Sequence, residues 1–178
     1  NIFFNQLSEQ AIEYLYSSGQ VKTLKKGLNL IIQGSTGKSV FLIIEGSVDV
    51  NVVEKTGRVK SIMTLHKDSV IGEMAMLGPC QRTSNATALE KLVVLELPTD
   101  IFIGMESNKL KTDFEKMKSR LEISEFVSTA NLFKEFPSEI MNVFIEAGDL
   151  VIFPKGHSIV EQNESDKTFY LLIFIPFN

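Results

Sequence analysis

The run IGEMAMLGPCQRTSNATA, residues 71–88, places side by side the residue types that bind an anion and a hydroxyl. A glycine such as Gly72 lets the backbone approach a ligand closely. A short helix opening near Glu73, with Met74 and Ala75 in its first turn, would aim free N–H groups at a negative charge. Arg82 would complete the anion site with a charge-assisted contact. Glu73 is too acidic to touch the anion itself. As an acceptor it suits a ribose hydroxyl, the part a carboxylate plays in dinucleotide folds. Taken singly, these residues say little. A Gly-Glu pair is common, a lone arginine is usually a surface residue, a Met-Ala-Met-Leu run is usually core, and Cys80 is most often a small buried hydrophobe. The Glu-to-Arg spacing and the elements around it carry the case.

Those elements change period along the chain. Residues 8–17 carry Ala11, Ile12, Leu15 and Tyr16 at helical spacing, with Ser8 as N-cap and Gly19 as stop. Residues 21–97 break into short β-rich runs: VKTLKKG, LNLIIQG, SVFLIIEG, SVDVNVV, VKSIMTL and LVVLEL. Val48, Val50 and Val52 alternate onto one face. Gly27, Gly34, Gly46 and Gly57 punctuate the turns. Many short strands with such turns predict a compact barrel or jelly roll. After Pro98 helical spacing returns, through Ile101, Phe102 and Met105, then Leu110, Phe114, Met117 and Leu121.

Charge and composition narrow the function. The net charge is −4, and the densest basic run, residues 109–120, is interrupted by Asp113 and Glu115. It predicts a solvated helix face rather than a nucleic-acid contact. One cysteine, Cys80, excludes an internal disulfide and fits a reducing, cytoplasmic compartment. The longest apolar run, residues 169–177, is far short of the roughly 20 residues a membrane helix needs. No membrane insertion and no signal peptide are expected. The absence of an initial Met predicts an excised piece of something longer. His66 and His157 have no second ligand at metal spacing, so neither a metal nor a cofactor is expected. They form no Ser-His-Asp or Cys-His set, and no catalytic residue is expected. Gly37-Lys38-Ser39 lacks the preceding spacing of a nucleotide phosphate loop and is predicted to be a β-turn.

The chain also repeats. A shift of 129 positions sets Phe133 on Phe4, Gly148 on Gly19, Lys155 on Lys26, Gly156 on Gly27, Gln162 on Gln33 and Lys167 on Lys38. Leu171 then falls on Leu42 and Ile173 on Ile44, with no gap. The match stops at Phe174, where FIPFN replaces EGSVDV. A shift of this length indicates a duplicated domain rather than a solenoid.

FLIIEGSVDV, residues 41–50, and IGEMAML followed by QRTSNA carry a resemblance. They are similar to the cyclic-nucleotide-binding domain of the eukaryotic cyclic-nucleotide-dependent protein kinases. That family reads aromatic-x-Ile-x-x-Gly-x-Val-x-Val, then Phe-Gly-Glu-Leu-Ala-Leu and Pro-Arg-Ala/Thr-Ala-Thr-Val. The resemblance implies a mainly β fold with flanking helices: an eight-stranded jelly-roll barrel with N-terminal and C-terminal helices. Residues 1–122 would form that domain and residues 123–178 an incomplete second one.

By the same resemblance Glu73 and Gly72 would hold the ribose, and Arg82, Ala75, Ser84 and Thr83 the phosphate. Thr83 would also meet a guanine amino group and so favour cGMP over cAMP. Phe126 and Phe133 are candidates to cap the base. Four positions depart from the family pattern: Ile71 for Phe, Gln81 for Pro, Asn85 for Thr, and Lys38 for an Asp that orients the arginine. A lysine there cannot hold Arg82 by a salt bridge. The implied function is a non-enzymatic sensor of cGMP or cAMP that controls a protein kinase catalytic domain, in cis or in trans. In it Leu77 and neighbouring apolar residues would repack against Ile101, Phe102 and Met105 as the C-terminal helices move. Lys38 and Gln81 keep open a degenerate, non-binding interaction module; the regulatory part of an exchange factor is a further alternative. A DNA-binding regulator would need a helix-turn-helix where a second β-rich segment stands.

Overall fold

The computed structural model describes residues 4, 7–78, 80–106, 109–133, 135–163 and 167–172. The chain divides into two compact units, Asn1–Leu121 and Glu122–Asn178.

The first unit begins with α1, Glu9–Ser18. Ser8 caps it, its side-chain oxygen accepting the Ala11 N–H at 3.2 Å. Gly19 ends it with φ −80, outside the left-handed region. The reason for a glycine there is space, since a Cβ would lie 2.7 Å from Leu95 Cδ1. Ten strands follow: β1 (Gln20–Leu24), β2 (Asn29–Ile31), β3 (Thr36–Gly37), β4 (Ser39–Glu45), β5 (Val48–Val53), β6 (Val59–Leu65), β7 (Val70–Ile71), β8 (Cys80–Gln81), β9 (Asn85–Ala88) and β10 (Leu92–Pro98). They form two four-stranded antiparallel sheets, ordered β1-β10-β4-β7 and β2-β9-β5-β6, with a small β3-β8 ribbon. Eight strands in two facing sheets are the expected jelly roll. The six β-rich runs of the sequence became β1, β2, β4, β5, β6 and β10; β3, β7, β8 and β9, of two to four residues, were too short to show a period.

Between the sheets lies one apolar core, made by Ile31, Phe41, Ile43, Val48, Val50, Ile71, Ala86, Ala88, Leu92 and Val94. The strands β4 and β10 are apolar on both faces because the sheet they share is covered twice. Their other face, Val40, Leu42, Leu95 and Leu97, meets Ala11 and Leu15 of α1. It also meets α2 (Thr99–Glu106) through Ile101, Phe102 and Met105, and α3 (Lys111–Thr129) through Phe114 and Met117. Tyr16, grouped by spacing with that helical stripe, stays 56% exposed.

Asp113, in the first turn of α3, is only 8% exposed. Its carboxylate accepts the Ser8 N–H at 2.8 Å and the Ser8 hydroxyl at 2.9 Å. The cap of the first helix is thereby tied to the start of the third.

The second unit holds α4, Ser138–Ala147, closed by the Gly148 N–H on the Phe144 carbonyl. At the offset of 129, α4 covers the positions of α1, and that closing bond covers Gly19 on Leu15. Gly156 (φ 87) and Asn163 (φ 72) likewise stand where Gly27 (φ 84) and Gly34 (φ 81) do in the first unit. The strands do not recur among the described residues. In the first unit β1 bonds to β10, β2 to β9, and β4 to β10 and β7. The divergent end at 174–178 lies outside the described residues.

Replacing Asp113 with Ala leaves two Ser8 donors without their acceptor. We expect a loss of about 1–3 kcal/mol of stability, read as a lower urea midpoint with unchanged slope.

Candidate functional site

The 71–88 run is not regular strand because Gly72 interrupts it. Strand β7 pairs with β4 at Phe41 and Leu42, and then Gly72 turns left-handed at φ 79, ψ 19. A Cβ on Gly72 would also sit 2.5 Å from Arg82 Nη1. Two independent constraints thus call for glycine. A 3₁₀ turn, Glu73–Leu77, follows. It differs from the expected helix in one consequential way. The Ala75 N–H donates to the Gly72 carbonyl at 3.2 Å. It is engaged within the turn rather than free for an anion, because 3₁₀ bonding reaches back only three residues.

Arg82 comes to the same place from the other side. Strand β8 pairs with β3 at Thr36–Gln81 and Gly37–Cys80, which delivers the arginine beside the start of β4. Its Nη1 donates to the Gly72 carbonyl at 2.9 Å, and its Nη2 donates to the Ser39 carbonyl. Gly37 makes room, since a Cβ there would lie 2.6 Å from the guanidinium carbon. A guanidinium has five N–H donors, so the two carbonyls leave others to meet a ligand.

The electrostatics follow from this packing. Burial pushes the Glu73 carboxyl above its ordinary 4.5. A hydrogen bond from its own N–H, the Arg82 charge and the Gly72 N–H pull the other way and do not offset it. Burial lowers Arg82 from its ordinary value, against the opposing pull of Cys80 and Glu73.

Other expected residues fall around this centre. Thr83 is exposed and Ser84 half-buried. Asn85 is buried in β9. Lys38 is exposed between β3 and β4, and its carbonyl accepts the Thr99 N–H at 3.0 Å. Where the family pattern has an aspartate, main-chain oxygens hold Arg82. Gly37, Ser39 and the Gly72 carbonyl were missed as parts of this arrangement; the short turn gave no signal beyond its glycine. Phe126 and Phe133, the two proposed base caps, belong to the second unit. Phe133 is 2% exposed there, its ring 5.1 Å from Phe144 and 5.8 Å from Phe136. Met76, the apolar neighbour of Leu77, packs against the cluster of Ile101, Phe102 and Met105.

Two cavities open elsewhere. One, of about 390 Å³, is lined by Lys22, Asn29, Phe41 and Glu96 among others; the second, of about 280 Å³, by Phe4, Leu15, Leu42 and Leu95 among others. Neither is lined by Glu73 or Arg82. Among the described residues no helix is long and apolar enough to cross a membrane.

The family model described as the cyclic nucleotide-binding domain matches residues 21–108. Residues 21–108 are a cyclic nucleotide-binding domain. That domain contains every strand except the first residue of β1, together with Gly72, Glu73 and Arg82. The whole chain is similar to cGMP-dependent protein kinase 2 of Homo sapiens, 23% identical over 172 residues. The match covers 97% of this chain and 21% of the kinase, so the chain spans about a fifth of that relative's length. Two solved structures share the fold. The N-terminal domain of a transcriptional regulator from Streptomyces coelicolor A3(2) has a TM-score of 0.65 at 22% identity, covering 74% of this chain and 92% of that one. The regulatory domain of Toxoplasma gondii PKA, crystallised with cAMP, has a TM-score of 0.60 at 19% identity, covering 82% of this chain and 53% of that one.

The raised Glu73 pKa has a definite sign. The folded domain binds that proton more tightly than the unfolded chain does. Its contribution to stability is therefore full below the ordinary 4.5 and is lost as pH rises through the raised value. Glu73→Gln should stabilise the ligand-free protein at pH 7, with the advantage shrinking toward pH 4.5. Urea midpoints of both proteins across that range check it.

Proposed function

We propose that the first unit binds a cyclic nucleoside monophosphate, cGMP or cAMP, and regulates a protein kinase catalytic domain in cis or in trans. The observation that carries this is the meeting of Glu73 and Arg82 around Gly72, an acceptor and a cation at one turn of the jelly roll. Glu73 accepts the ribose hydroxyl and the Gly72 backbone lies against the sugar. The spare N–H groups of Arg82 bind the phosphate oxygens, aided by the backbone of Ser84 and Thr83; the Ala75 N–H, held by the Gly72 carbonyl, takes no part. Thr83 selects guanine over adenine by its hydroxyl; its exposure is consistent with that role. The protein acts in the cytoplasm and takes no cofactor.

Regulation follows the packing of Met76. Ligand draws the 3₁₀ turn inward, Met76 shifts against Ile101, Phe102 and Met105, and α2 and α3 respond. The shift goes only as far as the ligand's differential affinity for the two arrangements. We take residues 123–178 as the opening of a second domain of the same kind. The coincidence of α4 with α1 at an offset of 129 supports this.

One observation favours a second reading, a non-binding interaction module. Two Arg82 donors are already satisfied by carbonyls, those of Gly72 and Ser39. A thermal-shift titration with cGMP and with cAMP separates the readings. A functional site gains about 2.7 kcal/mol at a hundredfold excess over Kd, seen as a saturable rise in Tm. Arg82→Ala should weaken binding roughly ten- to a hundredfold through lost charge-assisted bonds. No rise with either nucleotide at millimolar concentration leaves the interaction module.

A further inference from the structure

Gln33 precedes a left-handed residue, Gly34, and Gln162 precedes a left-handed Asn163 at the same repeat offset. The nucleotide roles above leave this glutamine unexplained. Its carboxamide lies along the end of β5. Oε1 accepts the Val53 N–H at 2.7 Å, and Nε2 donates to the Val53 carbonyl at 3.5 Å. The side chain pairs with Val53 as a neighbouring strand residue would. The Gln33 N–H donates to Asn85 Oδ1 at 2.9 Å, and Asn85 Nδ2 donates to Asn51 Oδ1 at 3.2 Å. The two residues after Gln33 then grip Arg82. The Gly34 N–H donates to the Arg82 carbonyl at 2.8 Å, and the Arg82 N–H donates to the Ser35 carbonyl at 2.8 Å.

We propose that Gln33 is a positioning residue for Arg82, bracing the 33–35 turn against β5 so that the arginine backbone is fixed before ligand arrives. This rests on the reading of Arg82 as the phosphate-binding group. Gln33 touches no ligand in this arrangement. A side chain as long as arginine magnifies any pivot of its backbone, so the bracing acts at the guanidinium, and a pre-set guanidinium spares binding the cost of ordering it.

Two variants of the 178-residue chain test the role. Gln33→Met keeps the length and removes both contacts to Val53, whereas Gln33→Glu keeps the acceptor of the 2.7 Å bond. Calorimetric Kd values for cGMP and cAMP are measured beside amide hydrogen exchange at Gly34 and Arg82. In Gln33→Met, exchange at those two amides should quicken and affinity fall roughly three- to tenfold; Gln33→Glu should restore both. Unchanged exchange at Gly34 and Arg82 overturns the proposal, as does quickened exchange with unchanged affinity. Failure of the glutamate to rescue does the same. Exchange quickened equally across β4 and β10 would mark Gln33 as a general fold residue and overturn it too. If the unaltered chain binds neither nucleotide, the phosphate role of Arg82 fails, and the exchange data still decide whether Gln33 braces it.

Discussion

A guanidinium leaves water only where oxygens replace it, and the organisation of this domain turns on how Arg82 finds them. The two oxygens are main-chain, from Gly72 and Ser39. Reaching them requires the backbone at Gly37 and Gly72 to come within side-chain contact of the arginine, which any Cβ would block. It also requires β7 and the β3-β8 ribbon to stop abruptly beside β4. The brief strands, the left-handed glycine and the 3₁₀ turn are what it takes to bring two carbonyls and one long cation together. Burial there has an electrostatic cost, visible in the raised Glu73 and lowered Arg82. Charge held under such strain is charge that a ligand of complementary polarity can relieve.

The site is joined to the helices by packing and by the Thr99 N–H on the Lys38 carbonyl. Met76 leaves the 3₁₀ turn and enters the same cluster as α1, α2 and α3, which rests on the outer face of β4 and β10. The inner face of those strands belongs to the core between the sheets. One doubly covered sheet therefore backs both the barrel and the helical layer. The Ser8–Asp113 bonds fasten the first helix to the third at the polar edge of that layer.

Much of this was legible in the sequence where a period or a spacing was long enough to register. SVFLIIEG and LVVLEL were legible as β-rich runs, and the residues after Pro98 kept helical spacing. The Glu73–Arg82 pair was legible from its spacing. What escaped was local and main-chain. No composition signal shows that Ala75 spends its N–H on Gly72, or that carbonyls replace the missing aspartate at Lys38. Gly19 stops α1 as its position indicated, and what calls for a glycine there is the closeness of Leu95 rather than a left-handed turn. The repeat was visible, but a repeat in sequence does not by itself give strands, and none recurs among the described residues of the second unit.

The pairing of β1 with β10 has a further consequence for how the chain is made. Gln20 waits for Glu96, and Asn29 for Thr87, before either early strand has a neighbour. During synthesis the first third of the domain therefore leaves the ribosome with open edges. Only the β5-β6 hairpin can close from adjacent sequence. Non-local closure of this kind slows folding and leaves the nascent chain exposed to chaperones until Pro98 has cleared the exit tunnel.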